Sequence, residues 1–104
     1  MGLEIQSTTA DGVTEVKVEG TVDLYSAPQL RKSILDSVPG AAECVLVNLD
    51  GVSYMDSSGV AVLVEGLRSA RKHEKKYVLL HPSRSVMKVL ELARLDTVFE
   101  ITPR

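Results

Sequence analysis

The chain reads as an α/β fold: a single-layer mixed, mainly parallel sheet of about five strands, with helices mostly on one face. Three observations predict it. Strand-like apolar runs alternate with segments of helical periodicity, which implies parallel strands joined by right-handed crossovers. In Val13 to Glu19, Val16 and Val18 alternate with Glu15, Lys17 and Glu19, so one side of that strand meets water. The chain has 104 residues, 44% of them hydrophobic, with one Phe and no Trp, which suits one aliphatic core and a single domain spanning 1–104.

The elements follow in order. Leu3 to Thr8 is a strand, Ala10-Asp11-Gly12 a tight turn, and Val13 to Glu19 the returning strand of a hairpin. Ser26 is placed to cap a helix from about Ala27 to Ser37, with Pro28 at a permitted early position and Leu30, Ile34 and Val38 facing inward. Pro39-Gly40 is expected to stop it. Val45 to Leu49 is a nearly continuous apolar run rich in β-branched residues, as in a central strand, and Asp50-Gly51 is expected to end it. Val60, Leu63, Leu67 and Ala70 recur at helical spacing, so residues 57 to about 73 read as an amphipathic helix. After a charged link at Lys72 to Lys76, Tyr77 to Leu80 is a fourth strand. Pro82-Ser83 leads into a helix from about Arg84 to Arg94, and Val98 to Ile101 is a last short strand.

Charge and composition exclude several functions. With a net charge of −2 and acids and bases interspersed, there is no basic stripe to follow a nucleic-acid backbone. Arg68, Arg71, Lys72, Lys75 and Lys76 gather at the C-terminal end of the second helix, where cations complement its dipole. Cys44 is the only cysteine, so neither a disulfide framework nor a cysteine metal cluster can form, and it reads as a small buried residue. The N-terminus lacks a charged-then-apolar leader and places Gln6 where a myristoylation signal wants Ser or Thr. No apolar run approaches membrane-spanning length, so a cytoplasmic protein without direct membrane insertion is expected. Neither a cofactor nor a metal is expected.

The chemistry concentrates in Val45 to Gly59, where a central strand leads by a short turn to an acid and two hydroxyls at a helix start. Asp56 is the natural N-cap, expected to accept from the amides of Ser58 and Gly59, while Gly59 keeps the first turn free of bulk. Ser57 is then the first helical residue. A phosphate on its hydroxyl would bring about −1.5 to −2 charges to the positive end of the helix dipole. Ser58 is the second chemical candidate for that modification. Loops after the carboxyl ends of parallel strands share one edge, here Gly20 to Ser26, Asp50 to Ser58, and His81 to Ser85. That places Asp23, Tyr25, Tyr54, Asp56, Ser57, Ser58 and Gly59 at or near one expected edge, the usual place for ligands, where the tyrosines would serve as either interface anchors or structural residues.

Enzymatic readings lack their parts. Asn48-Leu49-Asp50 follows the acid spacing of haloacid-dehalogenase phosphatases, but an amide stands at the nucleophile's position. Met55 occupies the first glycine position of a nucleophile elbow around Ser57. His73 falls about 24 Å away along the same helix, and His81 is a loop histidine that could face the Ser57 edge. No Walker-type loop is present.

Gly20-Thr21-Val22-Asp23 before a capped helix, Val52-Ser53-Tyr54-Met55-Asp56-Ser57-Ser58-Gly59-Val60, and the helix ending Leu90-Glu91-Leu92-Ala93-Arg94-Leu95 together resemble the STAS domain family. Within it the chain is most similar to bacterial anti-sigma factor antagonists. The resemblance covers nearly the whole chain and implies partner switching. The unphosphorylated antagonist binds an anti-sigma factor with serine kinase activity, phosphorylation at the position of Ser57 releases it, and a serine phosphatase resets it. Asp23 matches an acidic position implicated in the same partner surface, so the resemblance implies a partner-binding set of Asp23, Tyr25, Tyr54, Asp56, Ser57, Ser58 and Gly59. The family also implies an alternative: a STAS subunit of a lipid-transporting ABC transporter, docked on its ATPase subunit, with Ser57 as an unmodified contact.

Overall fold

Eight elements occur in the order β1 (Leu3–Ala10), β2 (Val13–Val22), α1 (Ala27–Gly40), β3 (Cys44–Met55), α2 (Ser57–Lys72), β4 (Lys76–Leu80), α3 (Arg84–Leu92) and β5 (Glu100–Thr102). The computed structural model describes residues 2–41 and 43–103; Met1, Ala42 and Arg104, which the single-domain span 1–104 includes, lie outside them. The strands form one sheet in sequential order, with β1 antiparallel to β2 and the other pairs parallel. The expected α/β sheet of five strands is therefore present. Asp11 and Gly12 both take positive φ at the β1–β2 turn, the backbone that a twisted two-residue hairpin requires.

One face of the sheet and the helices enclose the core. Val16, Val18, Val45, Val47, Leu49 and Leu79 meet Leu30, Ile34 and Val38 of α1, Leu63 and Ala70 of α2, and Val86 and Leu90 of α3 in one buried cluster. Tyr77 ties these layers together, its hydroxyl donating to the Leu63 carbonyl of α2 at 3.0 Å while its ring lies 6.4 Å from that of Phe99. On the other face, Lys17 and Glu19 are exposed, as their alternation with valines predicts, but Val78 of β4 is buried.

Several boundaries differ from those the sequence predicts. Asp50-Gly51 does not end β3, which continues to Met55. Asn48 explains why: its Oδ1 accepts the Asp50 N–H at 3.0 Å, and the register to β2 shifts there, so the strand absorbs a bulge and keeps pairing. Pro39-Gly40 forms the last turn of α1 rather than its stop, because the Ala41 N–H still reaches the Ser37 carbonyl at 3.1 Å. Cys44, expected to be buried, is only half-buried at the start of β3. α3 ends at Leu92, and β5 starts at Glu100 because Val98 is held in a turn by its N–H bond to Leu95.

Candidate functional site

β2 and β3 end side by side and determine the site. Val22 pairs with Met55, both buried, and the Asp56 N–H donates to the Val22 carbonyl at 3.1 Å. The chain then diverges, β2 into the Asp23–Ser26 turn before α1, and β3 through Asp56 alone into α2. The expected loop of residues 50–58 is thus a single residue long. Ser83 brings in the third loop: its hydroxyl donates to the Val52 carbonyl at 2.6 Å while accepting from Val86 N–H at the start of α3.

Asp56 is extended, with φ −105 and ψ −171, and its Oδ1 accepts from the Ser58 N–H at 2.8 Å. The Gly59 amide, expected on the same carboxylate, instead donates to the Asp56 carbonyl at 3.1 Å, as does that of Val60 at 3.2 Å. An N-cap carbonyl is already turned into the helix, so it takes these first-turn donors and leaves the side chain one. Ser57 stands exposed as the first residue of α2, and Ser58 is half-buried. Gly59, expected in the partner-binding set, is buried against β2 and β3.

The turn before α1 is closed by its own side chains. Asp23 Oδ1 accepts from the N–H groups of Tyr25 and Ser26, each at 3.0 Å. Ser26 Oγ accepts from the Asp23 N–H at 3.0 Å and donates to the Thr21 carbonyl at 2.9 Å. Ser26 therefore does not cap α1 with its side chain, as the sequence suggested, because that oxygen is committed upstream. The Ser26 amide, foremost among these donors, holds the Asp23 carboxyl below its ordinary value by stabilising the anion.

The turn carries Leu24 and Tyr25 outward, 67% and 89% exposed. Leu24 went unnoticed in the sequence, where its place three residues before Ala27 makes it look like the start of the helix's buried stripe. Tyr54 is 52% exposed but stands elsewhere. Since Val22 and Met55 turn inward, their predecessors Thr21 and Tyr54 turn to the opposite face of the sheet. Asp23, Tyr25, Asp56, Ser57 and Ser58 are brought to one edge, with Tyr54 behind them.

His73 caps the far end of α2, its Nδ1 2.9 Å from the Ser69 carbonyl. His81 sits in the loop after β4, its N–H bound to the Thr102 carbonyl at 2.7 Å. Among the described residues no group of three or more His, Cys, Asp or Glu could hold a metal ion. A concavity of about 200 Å³ is lined by Gly2, Glu4, Glu19 and Gly20 rather than by Ser57.

Known proteins are similar to this chain in sequence and in fold. An anti-sigma-B factor antagonist of Staphylococcus aureus is 32% identical over 101 residues, covering 97% of this chain and 94% of the relative. That of Staphylococcus epidermidis is 31% identical over the same length. In fold, the chain resembles an anti-sigma factor antagonist from Mycobacterium paratuberculosis with a TM-score of 0.90 at 23% identity, over 99% of this chain and 87% of that one. It also resembles unphosphorylated SpoIIAA, with a TM-score of 0.79 at 23% identity, over 97% and 90% of the two chains. With the sheet order, the helix start after β3 and a match to the STAS domain model across residues 4–104 all in agreement, the chain belongs to the STAS domain family.

Proposed function

We propose that the protein is an anti-sigma factor antagonist that acts by partner switching. Unmodified, it binds an anti-sigma factor with serine kinase activity; phosphorylated on Ser57, it is released, and a serine phosphatase restores it. The observation that carries this reading is the exposed Ser57 at the N-terminus of α2, beside the Asp23 turn and on a capped helix start. The names of the Staphylococcus relatives support the antagonist role, and a SpoIIAA structure in the phosphorylated form, similar in fold with a TM-score of 0.73, supports the use of phosphate. No helix among the described residues is long and apolar enough to cross a membrane.

Electrostatics alone suffice for the switch. A phosphate of charge −2 lying about 6 Å from one partner carboxylate is repelled by roughly 1.4 to 5.5 kcal/mol as the effective dielectric falls from about 80 to 20. That is about tenfold to ten-thousandfold in affinity, without any backbone movement. The helix dipole favours the modified serine, so phosphorylation does not unfold the segment that bears it.

Titration calorimetry with the anti-sigma factor encoded in the same genome tests the reading. Wild type and Ser57→Ala should bind alike, and Ser57→Asp, with half the charge of the phosphate, about threefold to a hundredfold more weakly. Incubation with that protein and ATP should add one phosphate, mapped by peptide mass spectrometry to Ser57 and absent in Ser57→Ala. Equal affinity of all three forms, or phosphate mapped only to another residue, would overturn it.

A further inference from the structure

We propose that Leu24 and Tyr25 are the apolar anchor by which the partner at the Ser57 face is gripped, and that Asp23 is a positioning residue which holds them out. The occupant is a protein surface that offers an apolar groove with cationic side chains at its rim. This inference rests on the proposed function, whose site it deepens.

Two consecutive large side chains at 67% and 89% exposure are an unfavourable arrangement for an isolated domain. The turn that displays them is nonetheless well fastened. Asp23 Oδ1 holds the amides of Tyr25 and Ser26, Ser26 Oγ holds the Asp23 amide and the Thr21 carbonyl, and the Ala27 N–H reaches the Asp23 carbonyl at 2.8 Å. A backbone fixed before binding leaves little ordering entropy to lose on association, which is what a small anchor requires. The turn is continuous with the modified edge through the 3.1 Å bond between Val22 and Asp56. Asp56, fastened to Val22 by that bond, sets an acid beside the apolar pair, so the surface that complements it is apolar at the centre and basic at the rim.

This geometry changes the role of the acid. An aspartate whose Oδ1 is engaged by two backbone amides and lies 3.2 Å from a hydroxyl is a turn-former first. Its contribution to binding passes through the two side chains it displays. Asparagine keeps the same accepting oxygen and can form the same turn, whereas alanine cannot.

The test is the affinity of the full chain for the anti-sigma factor encoded in the same genome, measured by calorimetry beside a melting curve for each variant. Tyr25→Ala and Leu24→Ser should each weaken binding by about tenfold or more without lowering the melting temperature. Leu92→Ser serves as control, since Leu92 is 77% exposed on the last turn of α3 at the other end of the molecule, and it should bind like wild type. Asp23→Ala should lose about as much as Tyr25→Ala, and adding Tyr25→Ala to it should lose little more, because both remove one anchor. Asp23→Asn should bind within about threefold of wild type.

Unchanged affinity in Tyr25→Ala and Leu24→Ser, while Ser57→Asp still weakens binding, would overturn the anchor and leave the proposed function standing. Asp23→Asn as weak as Asp23→Ala would show that the charge meets the partner directly and would overturn the positioning role. Self-association of the free chain that Leu24→Ser abolishes would make a second copy the occupant and overturn the proposal. Absence of binding by wild type would remove the proposed function and the anchor together.

Discussion

A Cβ added to Gly59 would stand 2.6 Å from Met55 Cγ and 2.7 Å from Val22 Cγ1, both on buried side chains of the strands that carry the site. Those contacts make Gly59 a spacer that lets α2 start hard against β2 and β3. Gly59→Ala should therefore destabilise the domain by about 1–3 kcal/mol, seen as a lower urea midpoint at unchanged slope, since the clash is with packed neighbours. The glycine itself was legible in the sequence, but its direction was not. A helix start fixes which residue comes first, whereas the angle at which α2 meets the sheet determines that Ser57 faces water and Gly59 the core. Leu24 gives the converse case: its spacing suggests burial, and the Asp23 turn removes it from the helical phase.

The helices begin and end by different means. Ser83 accepts from Val86 N–H and Asp56 from Ser58 N–H, which satisfies amides that a helix N-terminus otherwise leaves unpaired. At the other ends, Glu74 and Arg94 take φ of 57 and 59. The N–H of Lys75 donates to the Ala70 carbonyl and that of Leu95 to the Leu90 carbonyl, both at 2.8 Å, so each helix closes in a Schellman turn. Glycine usually occupies that left-handed position, and its absence is why the predicted helix over Arg84–Arg94 ran past Leu92. The left-handed backbone costs an L-residue about 1–2 kcal/mol, and glycine returns part of that gain as chain entropy. Glu74→Gly and Arg94→Gly should each raise stability by about 0.5–1 kcal/mol in chemical denaturation, with no effect on the Ser57 edge. The extension of β3 through Asp50-Gly51 was hidden for a similar reason. A polar-glycine pair reads as a turn, but pairing of Glu19 with Gly51 and the Asn48–Asp50 bond keep it in the sheet.

Across the whole molecule, Tyr77 links β4, α2 and the segment before β5, and burial pushes its phenol far above the ordinary value. Below about pH 10 the folded and unfolded chains both keep this proton, so stability is independent of it. Above that pH the unfolded chain releases the proton while the folded one retains it. The unfolded state then binds fewer protons, and stability falls as pH rises. Melting temperature should accordingly decline above about pH 10. Tyr77→Phe should show a shallower alkaline decline, after an initial loss of about 0.5–1.5 kcal/mol for the missing bond to Leu63. The sequence by itself determined the α/β class, the order of the elements and the placement of an acid and two serines at the start of α2, because apolar periodicity and capping chemistry are local properties. Only the tertiary structure decided which of those side chains face outward, that Asp23 braces a turn bearing Leu24 and Tyr25, and that Tyr54 stands on the other face. Those outcomes depend on sheet register and on the approach of helix to strand, which are settled by packing between residues far apart in the chain.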